Sequence, residues 1–157
     1  IRDVAVTGVQ TCALPISQRL YNSTMRRVFV NGTFDVLHPG HVQLLEYARK
    51  QGDSLLVAID SDRRVRELKG PGRPFFNQDQ RRYMLESLKW VDSVIVFDTD
   101  QELEHIIIVD EPDLMVKGSD YQGKPIIGEE HVPHIEFFKR IDEYSSTKAI
   151  QHLTTRR

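Results

Sequence analysis

A short loop in the first third of the chain contains the residues best suited to chemistry. Residues 31–41 end with His38 and His41 on either side of Pro39-Gly40, and a segment with helical spacing begins at the second histidine. Backbone amides at the start of a helix carry partial positive charge and bind phosphate oxygens. Imidazole rings beside them can donate hydrogen bonds to the same oxygens. The pattern favours phosphoryl-type transfer, in which positioning and stabilisation of charge on the phosphorus oxygens supply most of the catalysis.

Other roles for the two histidines are also open at this point. His38 can cap the helix or pack in the core, and His41 can be an ordinary residue of the first helical turn. A zinc site is disfavoured because no third ligand lies nearby in the sequence.

Cationic side chains follow later apolar segments, and each can hold phosphate through charge-assisted hydrogen bonds. Lys69 and Arg73 lie in a segment rich in Gly and Pro, Arg81 lies near the start of a predicted helix, and Lys117 directly follows a short apolar run. A solvated basic loop is the alternative for the first two. Asp120, close behind Lys117, either contacts a ligand or is a solvated residue of a turn.

The order of apolar segments predicts alternating strands and helices. Short apolar runs predict strands at 28–30, 55–59, 94–97, 114–116 and 135–138. Helical spacing predicts helices at 41–51, 78–88, 102–109 and 146–153, the first closed by Gly52. Residues 62–76 are expected to form a polar connection. In the second predicted helix, the inward side chains are expected to be Tyr83, Met84, Leu85 and Leu88.

This alternation predicts an α/β, Rossmann-like three-layer sandwich, with a parallel five-stranded sheet and helices on both faces. Ligands bind such sheets at the carboxyl ends of the strands. We therefore expect the loops at 31–41, 60–76, 98–101, 117–128 and 139–147 to converge on one pocket.

The motifs in the first loop resemble those of a known family. Gly32-Thr33-Phe34-Asp35, followed by His38-Pro39-Gly40-His41, resembles the signature of the cytidylyltransferase-like nucleotidyltransferases with their HxGH motif. The resemblance implies catalytic roles for His38, His41 and Lys69. It implies nucleotide binding by Gly32, Thr33, Phe34, Asp35, Gly40, Arg140, Ser145, Ser146 and Thr147. It implies substrate binding by Arg81, Lys117 and Asp120.

Two segments bear on the substrate. Lys117-Gly118-Ser119-Asp120-Tyr121 is similar to a segment of the heptose 1-phosphate adenylyltransferases, which implies ATP and D-glycero-β-D-manno-heptose 1-phosphate as substrates. Arg140 stands where glycerol-3-phosphate cytidylyltransferases also have an arginine, so CTP with a phospho-alcohol is the alternative. A non-catalytic nucleotide-binding module is a third interpretation. The resemblance also implies a homodimer and Mg²⁺ bound with the nucleoside triphosphate, mainly by its phosphates and with Asp35 close by.

Composition excludes several other classes of protein. The 157 residues suffice for one domain, with 39% hydrophobic residues, 28% charged residues and a formal charge of −2. This charge does not favour binding to nucleic acid. No apolar run approaches the ~20 residues of a membrane span, and the single cysteine, Cys12, permits no disulfide framework within one chain. The expectation is a cytoplasmic enzyme that does not bind membranes.

The first residues are expected to lie outside the natural domain. Val6-Thr7-Gly8-Val9-Gln10-Thr11-Cys12-Ala13-Leu14-Pro15-Ile16 resembles the in-frame translation of a sequencing-library adapter. Such segments are excluded from fold reasoning. We expect 1–24 to be a non-native segment and leader, and 25–157 to be the nucleotidyltransferase domain. Whether a kinase domain preceded this segment is left open by the sequence.

Overall fold

A parallel sheet forms the centre of the protein. The computed structural model describes residues 25–139 and residue 151, and within them the sheet has five strands in the order β3-β2-β1-β4-β5. The strands are β1 (Arg27–Gly32), β2 (Ser54–Asp60), β3 (Ser93–Phe97), β4 (Leu114–Gly118) and β5 (His134–Phe138). Every neighbouring pair is parallel. The predicted five-stranded parallel sheet is confirmed.

Helices connect the strands. They are α1 (Pro39–Lys50), α2 (Asp62–Lys69), α3 (Gln78–Glu86) and α4 (Asp100–Asp110). Single turns of 3₁₀-helix follow at Ser119–Tyr121 and Glu129–His131. The helix predicted at 146–153 lies outside the described residues, apart from residue 151, which is helical.

The sheet is buried on both faces, as parallel sheets require. Alternate residues of β1 point to opposite faces: Val28 and Val30 join one apolar cluster, and Phe29 joins the other. The first cluster includes Leu45 of α1 and Leu85 of α3, whereas the second includes side chains of α4. Helices therefore cover both faces, which confirms the predicted three-layer architecture.

The strand order creates a crevice beside β1. The chain runs outward from β1 through β2 to β3, and then returns to the other side of β1 to form β4. The β1–β2 ladder extends to the carboxyl end of β1, where Gly32 pairs with Ile59. The β1–β4 ladder contains only two pairs, Val28 with Leu114 and Phe29 with Met115. The carboxyl ends of β1 and β4 are thus not paired with each other. Ligands of open α/β sheets bind at such a switch point.

The structure corrects the prediction that 62–76 is only a polar connection, because α2 occupies Asp62–Lys69. Its apolar signal is weak, since Val65 is its only buried residue. Ser61 caps the start of the helix, because its hydroxyl accepts a hydrogen bond from the Arg64 amide, and the helix ends before Gly70 at φ 95°. Capping and ion pairs therefore stabilise a helix that hydrophobic spacing did not reveal.

The predicted inward face of α3 is also partly wrong. Tyr83 is 73% exposed, whereas Arg81 and Leu85 are fully buried and Leu88 packs against the core. These three residues have the spacing i, i+4, i+7 of one helical face. A charged residue occupies the first inward position, which the apolar pattern could not show.

No helix among residues 25–139 is long and apolar enough to cross a membrane.

The end of α4 gives a prediction about stability. Glu111 caps this helix in the left-handed conformation at φ 47°, which costs an L-residue roughly 1–2 kcal/mol. Glu111→Gly removes this strain. The greater conformational freedom of glycine in the unfolded chain offsets about 0.4–1 kcal/mol of that gain in stability. We expect the free energy of unfolding in urea to rise by roughly 0.5–1 kcal/mol. His105→Gly, at an exposed position inside α4, should lower it; the same sign for both variants would contradict this account.

Candidate functional site

The two histidines of the first loop face each other. His38 precedes the first turn of α1, Pro39 occupies that turn, and His41 follows within it. The imidazole rings stack with their centroids 3.7 Å apart and their planes 21° apart. Both rings are half-buried and line the same cavity. The predicted arrangement of two imidazoles at the start of a helix, beside open space, is present.

The backbone of the first loop supports this pair. Phe34 adopts the left-handed conformation at φ 47°, which is unusual for a bulky residue and is often found at functional sites. Its ring is buried and lies 5.1 Å from the ring of His41, centroid to centroid. A Cβ on Gly32 would lie 3.2 Å from the Phe34 ring, tighter than most real contacts. The loop therefore packs a phenyl ring against the imidazole of His41.

The cavity has a volume of about 430 Å³, within the usual range for small-molecule sites. It lies at the carboxyl ends of the strands, where the loops after β1, β2 and β4 meet, and Phe97 at the end of β3 also lines it. Among the described residues, ten of the predicted site residues line it: Gly32, Thr33, Phe34, Asp35, His38, Gly40, His41, Lys69, Lys117 and Asp120. The predicted convergence is therefore observed for the loops at 31–41, 60–76 and 117–128. The loop at 98–101 does not line the cavity, and 139–147 lies, apart from residue 139, outside the described residues.

Lys117 crosses the crevice between β4 and β1. Its ammonium group donates to the Asn31 side chain, Nζ to Oδ1 2.7 Å, and lies 4.6 Å from the centre of the Tyr121 ring. The side chain is only 6% exposed, and this burial lowers the pKa of Lys117 to about 8, although Asp60 and Asp120 partly counteract it. A phosphate in the cavity would favour the charged form.

Lys69 also lines the cavity, as the last residue of α2. Desolvation by the surrounding protein lowers its pKa below the ordinary value, and the positive charge of Arg73 lowers it further. Asp60 and Asp35 act in the opposite direction. The two lysines thus approach one cavity from different elements, and each is more easily deprotonated than a surface lysine.

Asp35 holds the segment that follows α2. Its carboxylate is 1% exposed and accepts hydrogen bonds from Arg73 Nε at 2.7 Å and from the amides of Phe75 and Phe76 at 2.7 and 3.0 Å. Asp35 therefore fixes one loop of the site to another. Arg73, considered from the sequence as a phosphate-holding residue, is paired with this carboxylate.

Arg81 is placed differently from its predicted role. Its guanidinium is fully buried and is not part of the cavity wall. It donates to the carbonyl oxygens of Thr33 and Phe76 and to the carboxylate of Asp62, at 2.8, 3.0 and 2.8 Å. This geometry does not present Arg81 to a substrate phosphate, because protein oxygens occupy all three sides of its guanidinium. It joins three segments around the site.

Sequence reasoning overlooked two charged residues of the cavity wall, Asp60 and Arg64. Both lie in the segment interpreted as a strand end and a polar connection. Two signals were available: Asp60 ends a buried strand, and Ser61 with Gly70 marks the limits of a helix that presents Arg64 one turn after the strand.

Four predicted nucleotide-binding residues lie outside the described residues, namely Arg140, Ser145, Ser146 and Thr147. Their roles stay predictions.

Comparison with known proteins identifies the family. Residues 29–152 match the cytidylyltransferase-like family, so the chain belongs to it, and the resemblance inferred from the motifs is confirmed. It is a family of nucleotidyltransferases.

Curated proteins are similar in sequence to most of this chain. The chain is 40% identical over 138 residues to the bifunctional protein HldE of Aliarcobacter butzleri and 43% identical over 135 residues to that of Campylobacter fetus. These alignments cover 88% and 86% of this chain. The chain spans only 29% of the length of each of these two relatives.

Solved structures show the same fold. The lipopolysaccharide core biosynthesis protein from Thermoplasma volcanium superposes with a TM-score of 0.62 at 28% identity, covering 74% of this chain and 99% of that one. Pantothenate synthetase from Thermus thermophilus superposes with a TM-score of 0.51 at 15% identity, covering 81% of this chain and 64% of that one, which shows likeness of fold alone.

The buried Arg81 gives a prediction with an adjacent control. Arg81→Met leaves the Asp62 carboxylate and two carbonyl oxygens without this donor, so the free energy of unfolding should fall by roughly 3–5 kcal/mol. Arg82→Met removes an exposed pair with Glu86 and should cost less than about 1 kcal/mol. Chemical denaturation of both variants measures the difference. An Arg81→Met protein of normal stability but weakened affinity for substrate phosphate would instead support the original prediction.

Proposed function

We propose that this chain is an adenylyltransferase that transfers AMP from ATP to a sugar 1-phosphate, heptose 1-phosphate, with release of pyrophosphate. The observation that carries the proposal is the stacked pair of His38 and His41 in a cavity that Lys69 and Lys117 also line. These cationic and hydrogen-bonding groups suit two phosphorylated substrates that react with each other.

The proposed chemistry is one in-line displacement. A phosphate oxygen of the sugar 1-phosphate attacks the α-phosphorus of ATP. The new O–P bond forms as the bond from the α-phosphorus to the bridging oxygen of pyrophosphate breaks, and that oxygen leaves with its electron pair. The nucleophile is already an anion, so no general base is required. His38 and His41 donate hydrogen bonds to the α-phosphate oxygens, whose charge rises in the transition state.

Lys69 and Lys117 are proposed to neutralise the negative charge of different phosphate groups. Lys69, at the end of α2, is assigned to the β- and γ-phosphates and the leaving pyrophosphate. Lys117, between β1 and β4, is assigned with Asp120 to the acceptor. This division follows from their positions on different elements around the cavity, and it agrees with the roles that the family resemblance implies.

Magnesium is proposed to enter as part of the substrate. The cavity carboxylates of Asp35 and Asp60 already accept hydrogen bonds from Arg73 and Arg64, respectively, and from other donors. They therefore do not form a preformed site for a hard cation, and we propose that the triphosphate oxygens hold Mg²⁺.

Relatives favour the heptose substrate. HldE proteins are 40–43% identical to this chain, and the Thermoplasma volcanium protein is a lipopolysaccharide core biosynthesis protein. Heptose is a sugar of lipopolysaccharide cores. The Lys117-Gly118-Ser119-Asp120-Tyr121 segment, which resembles that of the heptose enzymes, lies at the cavity. The alternative, CTP with glycerol 3-phosphate, depends on Arg140, outside the described residues.

A substrate panel tests the proposal. Pyrophosphate release is measured for ATP and CTP, each with heptose 1-phosphate and with glycerol 3-phosphate. The proposal expects the highest kcat/KM for ATP with heptose 1-phosphate. A preference for CTP with glycerol 3-phosphate would establish the alternative. Nucleotide binding without release from any pair would indicate a non-catalytic module.

The histidine pair gives a second prediction. His41→Ala removes one donor to the α-phosphate, so kcat should fall by roughly 10²–10³-fold, as for loss of one preorganised donor elsewhere. His105→Ala, on the exposed side of α4, is the control and should retain activity. Thermal unfolding of both variants shows whether the fold is intact. A normal rate in folded His41→Ala would contradict the assignment.

The pH dependence gives a third prediction. Lys117 must be protonated to bind phosphate and has a pKa of about 8 in the free protein, so kcat/KM for the acceptor should fall as pH rises through about 8. Phosphate groups ionise near pH 6 and add no change above pH 7.

Lys117→Arg is the matched control, because arginine keeps its charge throughout this range. In this variant, the fall in kcat/KM should move to higher pH. An identical alkaline limb in wild type and Lys117→Arg would exclude Lys117 as the titrating group.

A further inference from the structure

A carboxylate lies in the wall of the cavity proposed for phosphates. Asp60 is the last residue of β2, is 7% exposed, and lines the cavity with the histidines and lysines. Its negative charge would repel a triphosphate by itself. Burial of such a charge also costs free energy unless it is paired and hydrogen-bonded. Its position at the site therefore calls for a physical reason.

Asp60 contacts two segments of the site, one through each oxygen. Oδ2 accepts from the Thr33 hydroxyl at 2.8 Å, and Oδ1 accepts from Arg64 Nε at 2.9 Å. Thr33 belongs to the first loop, and Arg64 belongs to α2. A single carboxylate thus ties both segments to the end of the central strand.

Each of these partners is held from a second side. The Thr33 carbonyl accepts from Arg81, which fixes the residue between two buried charged groups. Arg64 also pairs with Asp100, Nη2 to Oδ1 2.6 Å, and lies 5.2 Å from the centre of the Phe97 ring. Asp100 is 58% exposed at its side chain and is not part of the cavity wall.

The charge of Asp60 also acts on both lysines. It raises the pKa of Lys69 and the pKa of Lys117, in each case against the lowering effect of burial. The other charged groups that act on these lysines are Arg73, Asp35 and Arg81 for the first and Asp120 for the second. The remaining titratable groups of the described cavity wall are the two histidines, Arg64 and Tyr121.

We propose that Asp60 is a positioning residue for nucleotidyl transfer: it fixes Thr33 and Arg64 at the cavity wall and balances the charges of Lys69 and Lys117 before phosphate arrives. This inference rests on the proposed function. When substrates bind, their phosphates surround the same lysines. Asp60 then acts through these four residues and does not touch the reacting atoms.

The test compares Asp60→Asn with Asp100→Asn. Asparagine keeps the size and an acceptor for Arg64, and the Thr33 hydroxyl can accept from the asparagine amide instead of donating. Both variants remove one negative charge beside Arg64, but only the first affects Thr33 and the lysines. Lysine titrations are followed by NMR of ¹³Cε-labelled protein without substrate, with Lys69→Arg and Lys117→Arg providing assignments.

In Asp60→Asn, we expect both lysine titrations to move to lower pH, by about one unit, the lower end of the effect of a nearby opposite charge. The alkaline limb of kcat/KM should move in the same direction. Asp100→Asn should leave the lysine titrations and the basal activity unchanged. Unmoved lysine titrations in Asp60→Asn, or equal shifts in both variants, would overturn the proposal.

Thr33→Val supplies a test if Asp60→Asn does not fold. It removes the hydroxyl that Asp60 binds, so KM for ATP should rise by roughly two- to tenfold, the value of one hydrogen bond, while the lysine titrations stay in place. An unchanged KM would overturn the positioning role. The NMR titrations need no turnover, so they distinguish failure of this inference from failure of the proposed function.

Discussion

One buried guanidinium joins the segments on which the site depends. Arg81, from the inner face of α3, donates to the first loop through Thr33, to the start of α2 through Asp62 and to the start of its own helix through Phe76. A buried guanidinium is costly to leave unpaired, so these segments are stable only in positions that satisfy it. The first loop contains the histidine pair, and α2 contains Arg64 and Lys69. Their relative position is therefore fixed by the fold.

This constraint helps to explain how several cations can line one cavity. Asp35 and Asp60 are both buried at its wall, and each pairs with one arginine while binding a backbone amide or hydroxyl from another segment. Positive charges in a desolvated space repel each other, and neighbouring cations lower one another's pKa. The carboxylates offset that repulsion and connect the loops. The groups of the site are thus held in place before a ligand binds, which suits the proposed phosphate chemistry because preorganised groups stabilise a transition state most effectively.

The sequence predicted the architecture and the centre of the site because both have local signals. Buried strands appear as short apolar runs, and the pair of histidines around Pro39-Gly40 follows one such run directly. Helix α2 was overlooked because its stability comes from a serine cap and ion pairs, with Val65 as its only buried residue. Local patterns of apolar residues do not record such contributions.

The role of Arg81 could not be predicted from the local sequence, because contacts with distant residues determine it. A guanidinium binds substrate phosphate and protein oxygens with the same geometry, and only the packing of α3 determines which of them it meets. Asp60 was overlooked for the same reason, since its partner Thr33 lies 27 residues away. Residues that act through long-range hydrogen bonds are thus the part of the site that sequence reasoning reached least well.

The most direct test of the central claim is ¹⁵N NMR of the histidine rings while α,β-methylene ATP, which cannot transfer its α-phosphate, is added. If the stacked imidazoles hold the α-phosphate, the ¹⁵N resonances of the His38 and His41 rings will shift in a saturable way. The ¹⁵N resonances of His105, His131 and His134 will not shift. Saturable binding of the nucleotide that leaves both His38 and His41 unperturbed would contradict the account.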